Sequence, residues 1–81
     1  SMEVIGTING KPIQRDSCDL EYIQLDIVED LVRSIADKES SPEARIEVDL
    51  TQPEDPTYHL SGCSQEFEDR FYQLIRERQT V

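Results

Sequence analysis

The cleanest pattern in the chain is the strict alternation of apolar and polar residues across Ala44–Leu50. Ala44, Ile46, Val48 and Leu50 fall on one side, and Arg45, Glu47 and Asp49 on the other. That period of two predicts a strand with one buried and one wet face. Thr57–Leu60 is a shorter strand candidate, pairing back across the proline-containing loop with Tyr58 and Leu60 inward and His59 outward beside Glu47 and Asp49. Glu3–Ile8 is rich in β-branched residues and is followed by Asn9-Gly10, the dipeptide that best tolerates the two positive φ angles of a tight hairpin turn. Its return arm, Lys11–Arg15, contains Pro12. A proline cannot donate to a ladder, so this arm is expected to be short or to lie at an edge.

Asp16 and Ser17 are both competent helix caps, and residues 19–38 contain neither glycine nor proline. A long helix is predicted there. At 3.6 residues per turn, Leu20, Ile23, Ile27, Leu31 and Ile35 form one apolar stripe, the expected core face. A second stripe runs beside it through Tyr22, Leu25, Val32 and Ala36, interrupted by Glu29, and Val28 lies between the two. Together they cover an arc of about 200°, twice the ~100° that a surface helix shows to its own core. A last helix, 64–78, carries Phe67, Phe71, Leu74 and Ile75 on a narrow stripe.

The order is hairpin, long helix, strand, short strand, helix. These elements predict an α+β, two-layer sandwich, with a small antiparallel sheet covered on one face by two helices. Ser1 and Met2 read as the remnant of a cleaved tag, and residues 3–79 as a single α+β domain cut from a longer protein.

Charge sharpens this picture. The 81 residues include 18 acids and 8 bases, a formal charge of −10, which argues against a phosphate-binding groove and hence against a nucleic-acid ligand. Residues 16–39 alone carry eight acids against Arg33 and Lys38. Asp19, Asp26, Asp30 and Asp37 project into one sector of the long helix, although Arg33 shares it. No apolar run approaches the roughly 18 residues of a membrane-spanning helix, so no membrane partner is expected. Two cysteines, Cys18 and Cys63, are too few for a disulfide scaffold and point to an intracellular setting, cytoplasmic or nuclear.

Candidate chemistry is sparse. Cys63 and His59 lie four residues apart, but Ser61-Gly62 breaks any helical spacing between them. On the strand reading they face opposite ways, so a thiol–imidazole dyad is disfavoured. Cys18, His59 and Cys63 are one short of a four-ligand zinc set and lack its spacings. Neither a calcium loop nor a glycine-rich phosphate loop occurs. No catalytic residue, metal or cofactor is assigned.

What remains is the wide apolar arc. If Tyr22, Leu25, Glu29, Val32 and Ala36 are not covered by the rest of the chain, they form an interface patch of a kind that monomers rarely leave bare. The expected function is a non-catalytic protein-interaction or self-association module. A protein partner is implied, with a homodimer the simplest form because one self-complementary patch suffices. The alternative is an acidic regulator that binds a basic partner through its field; a small enzyme built on the Cys/His pair ranks third.

Overall fold

Asn9 and Gly10 both hold positive φ, 52° and 79°, and turn the first strand, β1 (Glu3–Ile8), into β2 (Lys11–Pro12). Our structure is a computed structural model that describes residues 1–13, 19–39 and 41–79, the side chains of 36–39 and 79 excepted. After the hairpin come α1 (Leu20–Glu39), β3 (Arg45–Asp49), β4 (Thr57–Ser61) and α2 (Gln65–Gln79). The candidate caps Asp16 and Ser17, and Cys18, lie outside the described residues. At the start of α1, the Asp19 carbonyl accepts the amides of Tyr22 and Ile23 at 3.1 and 3.2 Å, so Asp19 stands at the cap position.

The four strands form one sheet in the order β2-β1-β3-β4. The fold is α+β as expected, but the sheet is mixed. β1 pairs with β3 in parallel, Glu3 opposite Arg45 and Thr7 opposite Asp49, while β1–β2 and β3–β4 are antiparallel. β2 is two residues long, and the Ile13 amide just past it still donates to the Gly6 carbonyl at 3.0 Å, because Pro12 stands opposite Thr7 at a pair that exchanges no backbone bonds. Two parallel neighbours need a crossover between them rather than a tight turn. The return journey falls to α1, whose 20 residues reach about 30 Å at ~1.5 Å per residue. β3 therefore starts where β1 starts and runs the same way.

Both helices pack on one face of the sheet. The core joins Ala44, Ile46, Val48 and Leu50 from β3 and its flanks to Leu25, Val28, Leu31, Val32 and Ile35 of α1, and to Phe67, Phe71 and Ile75 of α2. Tyr58 and Leu60 stand opposite Val48 and Ile46 and are half-buried against this core. The other face carries Glu3, Arg45, Glu47 and His59, with Arg45 donating to Glu3 at 2.8 Å. Met2 also packs on the core.

One corner fastens α2 to the rest. The Ser64 hydroxyl caps α2 by accepting the Phe67 amide at 3.1 Å. The Ser64 amide in turn donates to the hydroxyl of buried Ser41 at 3.1 Å. The chain enters this corner through Gly62, at φ 66°, where a Cβ would stand 2.6 Å from the Glu43 carbonyl oxygen. At Gly10 a Cβ would meet open space. Gly62→Ala is accordingly expected to cost about 2–3 kcal/mol, from both the contact and the left-handed backbone, and Gly10→Ala about 1 kcal/mol. Urea unfolding of the two variants measures the difference.

Candidate functional site

The residues proposed from sequence as an interface do not all lie at the surface. Leu25 and Val32 keep only 7% and 2% of their surface and belong to the core. Tyr22 and Glu29 are half-buried, and the side chain of Ala36 lies outside the described residues. The physical reason is that α1 has two walls to fill. The groove beside Val32 is lined by Met2, Val4, Glu29 and Arg33, which places the N-terminal part of β1 along this flank of the helix. The other flank faces α2. The widest part of the apolar arc is thus absorbed by a sheet and a helix together, with Val28, Leu31 and Ile35 at its centre.

The apolar residues that α1 leaves in water come from the stripe expected to be core. Leu20 is 44% exposed and Ile23 52%, and Ile27, one turn further on, is half-buried. The shift is a rotation: burial centred on Val28 turns Ile23 beyond the reach of the sheet. It also follows from position, since Leu20 and Ile23 lie in the first turns of the helix. Ile27 and Gln24 continue into a groove of about 390 Å³, shared with Glu54, Pro56, Tyr58, Ile75 and Arg78. Gln24 Nε2 donates to the Pro53 carbonyl at 3.0 Å, which fixes the 51–56 loop against α1 as one wall.

Acids border this shoulder. Asp19, Asp26 and Asp30 are exposed and fall within about 60° of Ile23 in projection. Asp30 is paired with Arg33. Asp37 belongs to the same row by sequence, but its side chain is outside the described residues. Glu54 stands across the groove.

The remaining candidates are placed as follows. His59 is exposed on the open sheet face, whereas Cys63 is half-buried against the core. Burial, helped by Glu68, pushes the Cys63 thiol upward in pKa, away from the thiolate that a nucleophile requires. Among the described residues no group of three or more His, Cys, Asp or Glu side chains could hold a metal ion, and no helix is long and apolar enough to cross a membrane. Asp49 accepts the Thr51 hydroxyl at 2.6 Å and the Thr51 amide at 3.0 Å. These bonds hold its carboxyl below the ordinary carboxylate value. Since the Thr51 hydroxyl also accepts the Asn9 amide at 2.9 Å, Asp49 serves to tie the hairpin turn to the end of β3.

On the β4 edge of the sheet one outward backbone group has a side-chain partner. The Ala44 carbonyl and the Leu50 amide bond to β1, so the even-numbered positions of β3 turn toward β1 and the odd-numbered ones toward β4. On β4 that parity sends the polar backbone groups of Tyr58 and Leu60 outward. The Tyr58 carbonyl accepts the Tyr72 hydroxyl at 3.3 Å, and the ring of Phe71 packs edge-on to both Tyr58 and Tyr72 at 5.4 Å. Burial raises the pKa of both tyrosines.

Compared with known proteins, the chain matches no family model, no curated protein and no solved structure.

The two flanks of α1 are separable by stability. Leu25→Ala and Val32→Ala should each cost about 2–4 kcal/mol through lost burial and a cavity, whereas Ile23→Ser should stay within about 0.5 kcal/mol. Urea midpoints of the three variants decide this; equal losses at all three positions would place Ile23 in the core.

Proposed function

We propose that the chain is a non-catalytic protein-interaction module whose docking surface is the shoulder formed by Leu20, Ile23 and Ile27 of α1 and the groove beside them. The observation that supports this reading is the exposure of Leu20 and Ile23 next to a groove that carries further apolar side chains, Pro56, Tyr58 and Ile75. Single exposed apolar residues are ordinary; contiguous ones that run into a groove mark a site where another surface gains by excluding water. The groove is built on rigid elements, two helices and a loop held by Gln24, so little ordering is needed when a partner seats.

The chemistry around it fits binding better than turnover. The nucleophile candidate Cys63 has its thiolate disfavoured by burial, and His59 stands on the far face of the sheet. The groove holds Glu54 and Arg78 as its charged groups, with neither a thiol nor an imidazole among its lining residues.

Photo-crosslinking from position 23 tests the reading. Benzoylphenylalanine at position 23 should join the chain to a discrete protein in extracts of its source cells, and Leu20→Ser should abolish the adduct. Benzoylphenylalanine at position 59, on the open sheet face, should give none. The same adducts from both positions, or none from position 23, would contradict the assignment.

A further inference from the structure

We infer that the partner taken by this shoulder is a positively charged amphipathic helix of another protein, an inference that rests on the docking surface proposed above. Charge complementarity over an apolar seam supports this partner. Leu20, Ile23 and Ile27 lie at i, i+3 and i+7 along α1, a seam of about 10 Å, which matches the anchors of a helix laid alongside. On one side of that seam runs the row Asp19, Asp26 and Asp30, the last paired with Arg33, and the groove on the other side holds Glu54 and Arg78. A bound helix with apolar anchors on one stripe and Lys or Arg on the shoulder that faces the aspartate row would bring opposite charge to that net-negative border.

The same charges weigh against a second copy of this chain. An antiparallel twofold contact through the seam would set one acidic row against its equivalent, in a chain of formal charge −10. Like-charge apposition of this kind is what specific interfaces use to reject wrong partners. They weigh also against a purely electrostatic mode, because the seam gives an apolar contact that a field alone does not need. The acids act on approach and orientation, and the seam on retention.

The test uses two synthetic helices of equal length, each with leucines on one stripe, one with lysines and the other with glutamates elsewhere. Their affinities for the chain are measured by titration calorimetry. The leucine–lysine helix should bind and the leucine–glutamate helix should not. Asp19→Asn combined with Asp26→Asn should weaken binding about tenfold, whereas Glu66→Gln combined with Asp69→Asn, on α2, should change it by less than about twofold. Leu20→Ser combined with Ile23→Ser should also weaken it about tenfold, with circular dichroism unchanged. Equal binding of both helices, still lost in the Leu20→Ser, Ile23→Ser variant, would overturn the basic partner and leave the docking surface standing. So would a molar mass that doubles across a concentration series and reverts in Ile23→Ser. Binding of the lysine helix that is indifferent to Leu20 and Ile23 would overturn both readings, as would no binding of either helix by a chain that stays monomeric.

Discussion

The parallel pairing of β1 with β3 is the constraint on which the rest of the molecule depends. Parallel neighbours cannot be joined by a tight turn, so a helix must carry the chain back along the sheet before β3 can begin beside β1. That helix then lies over the two central strands, and its rotation about its own axis is fixed by what it must cover. Val28, Leu31 and Ile35 meet the sheet, Leu25 and Val32 lie along the flank near β1, and the opposite flank meets α2. Leu20 and Ile23 are left over because two walls are already satisfied. A surface of interest thus arises from topology: the apolar shoulder is the part of a wide arc that neither wall reaches.

The second helix is held by chemistry of a different kind. Ser41, Gly62 and Ser64 make a corner in which one hydroxyl caps α2 and a second satisfies the amide of the capping residue itself. The amides of Ser64, Phe67 and Glu68 all find partners at this corner, and among the described residues no buried side-chain nitrogen or oxygen lacks one. The corner sets where α2 begins, and so where Phe67 and Phe71 enter the core. It also sets the far end of α2, where Ile75 and Arg78 form a wall of the groove.

Much of the fold was legible in the sequence because local rules and tertiary structure agree. Asn9-Gly10 gave a positive-φ turn, Ala44–Leu50 alternated as a half-buried strand, and Tyr58 and Leu60 turned inward while His59 turned out. The direction of β3 was not legible, because strand periodicity carries no sign. The rotation of α1 was missed for a related reason. Its apolar residues span an arc wider than one surface, so periodicity gave two stripes without saying which would face the sheet. Of the stripe Leu20, Ile23, Ile27, Leu31 and Ile35 expected to be core, Leu31 and Ile35 are buried, and Leu20 and Ile23 at its start are not. Burial instead centred on Val28, midway between the stripes, and carried Leu25 and Val32 inside. The distinguishing signal was present in Asp19, Asp26 and Asp30, which project nearest to Ile23 and mark that side of the helix as the wet one.

The rotation of α1 is tested most directly by methyl NMR with a soluble gadolinium chelate, which broadens resonances in proportion to their exposure. The account predicts strong enhancement at the methyls of Leu20 and Ile23 and little at Leu25, Val28 and Val32. Protection of Ile23 together with enhancement at Leu25 and Val32 would mean that α1 faces the sheet with its other stripe, and would contradict the account.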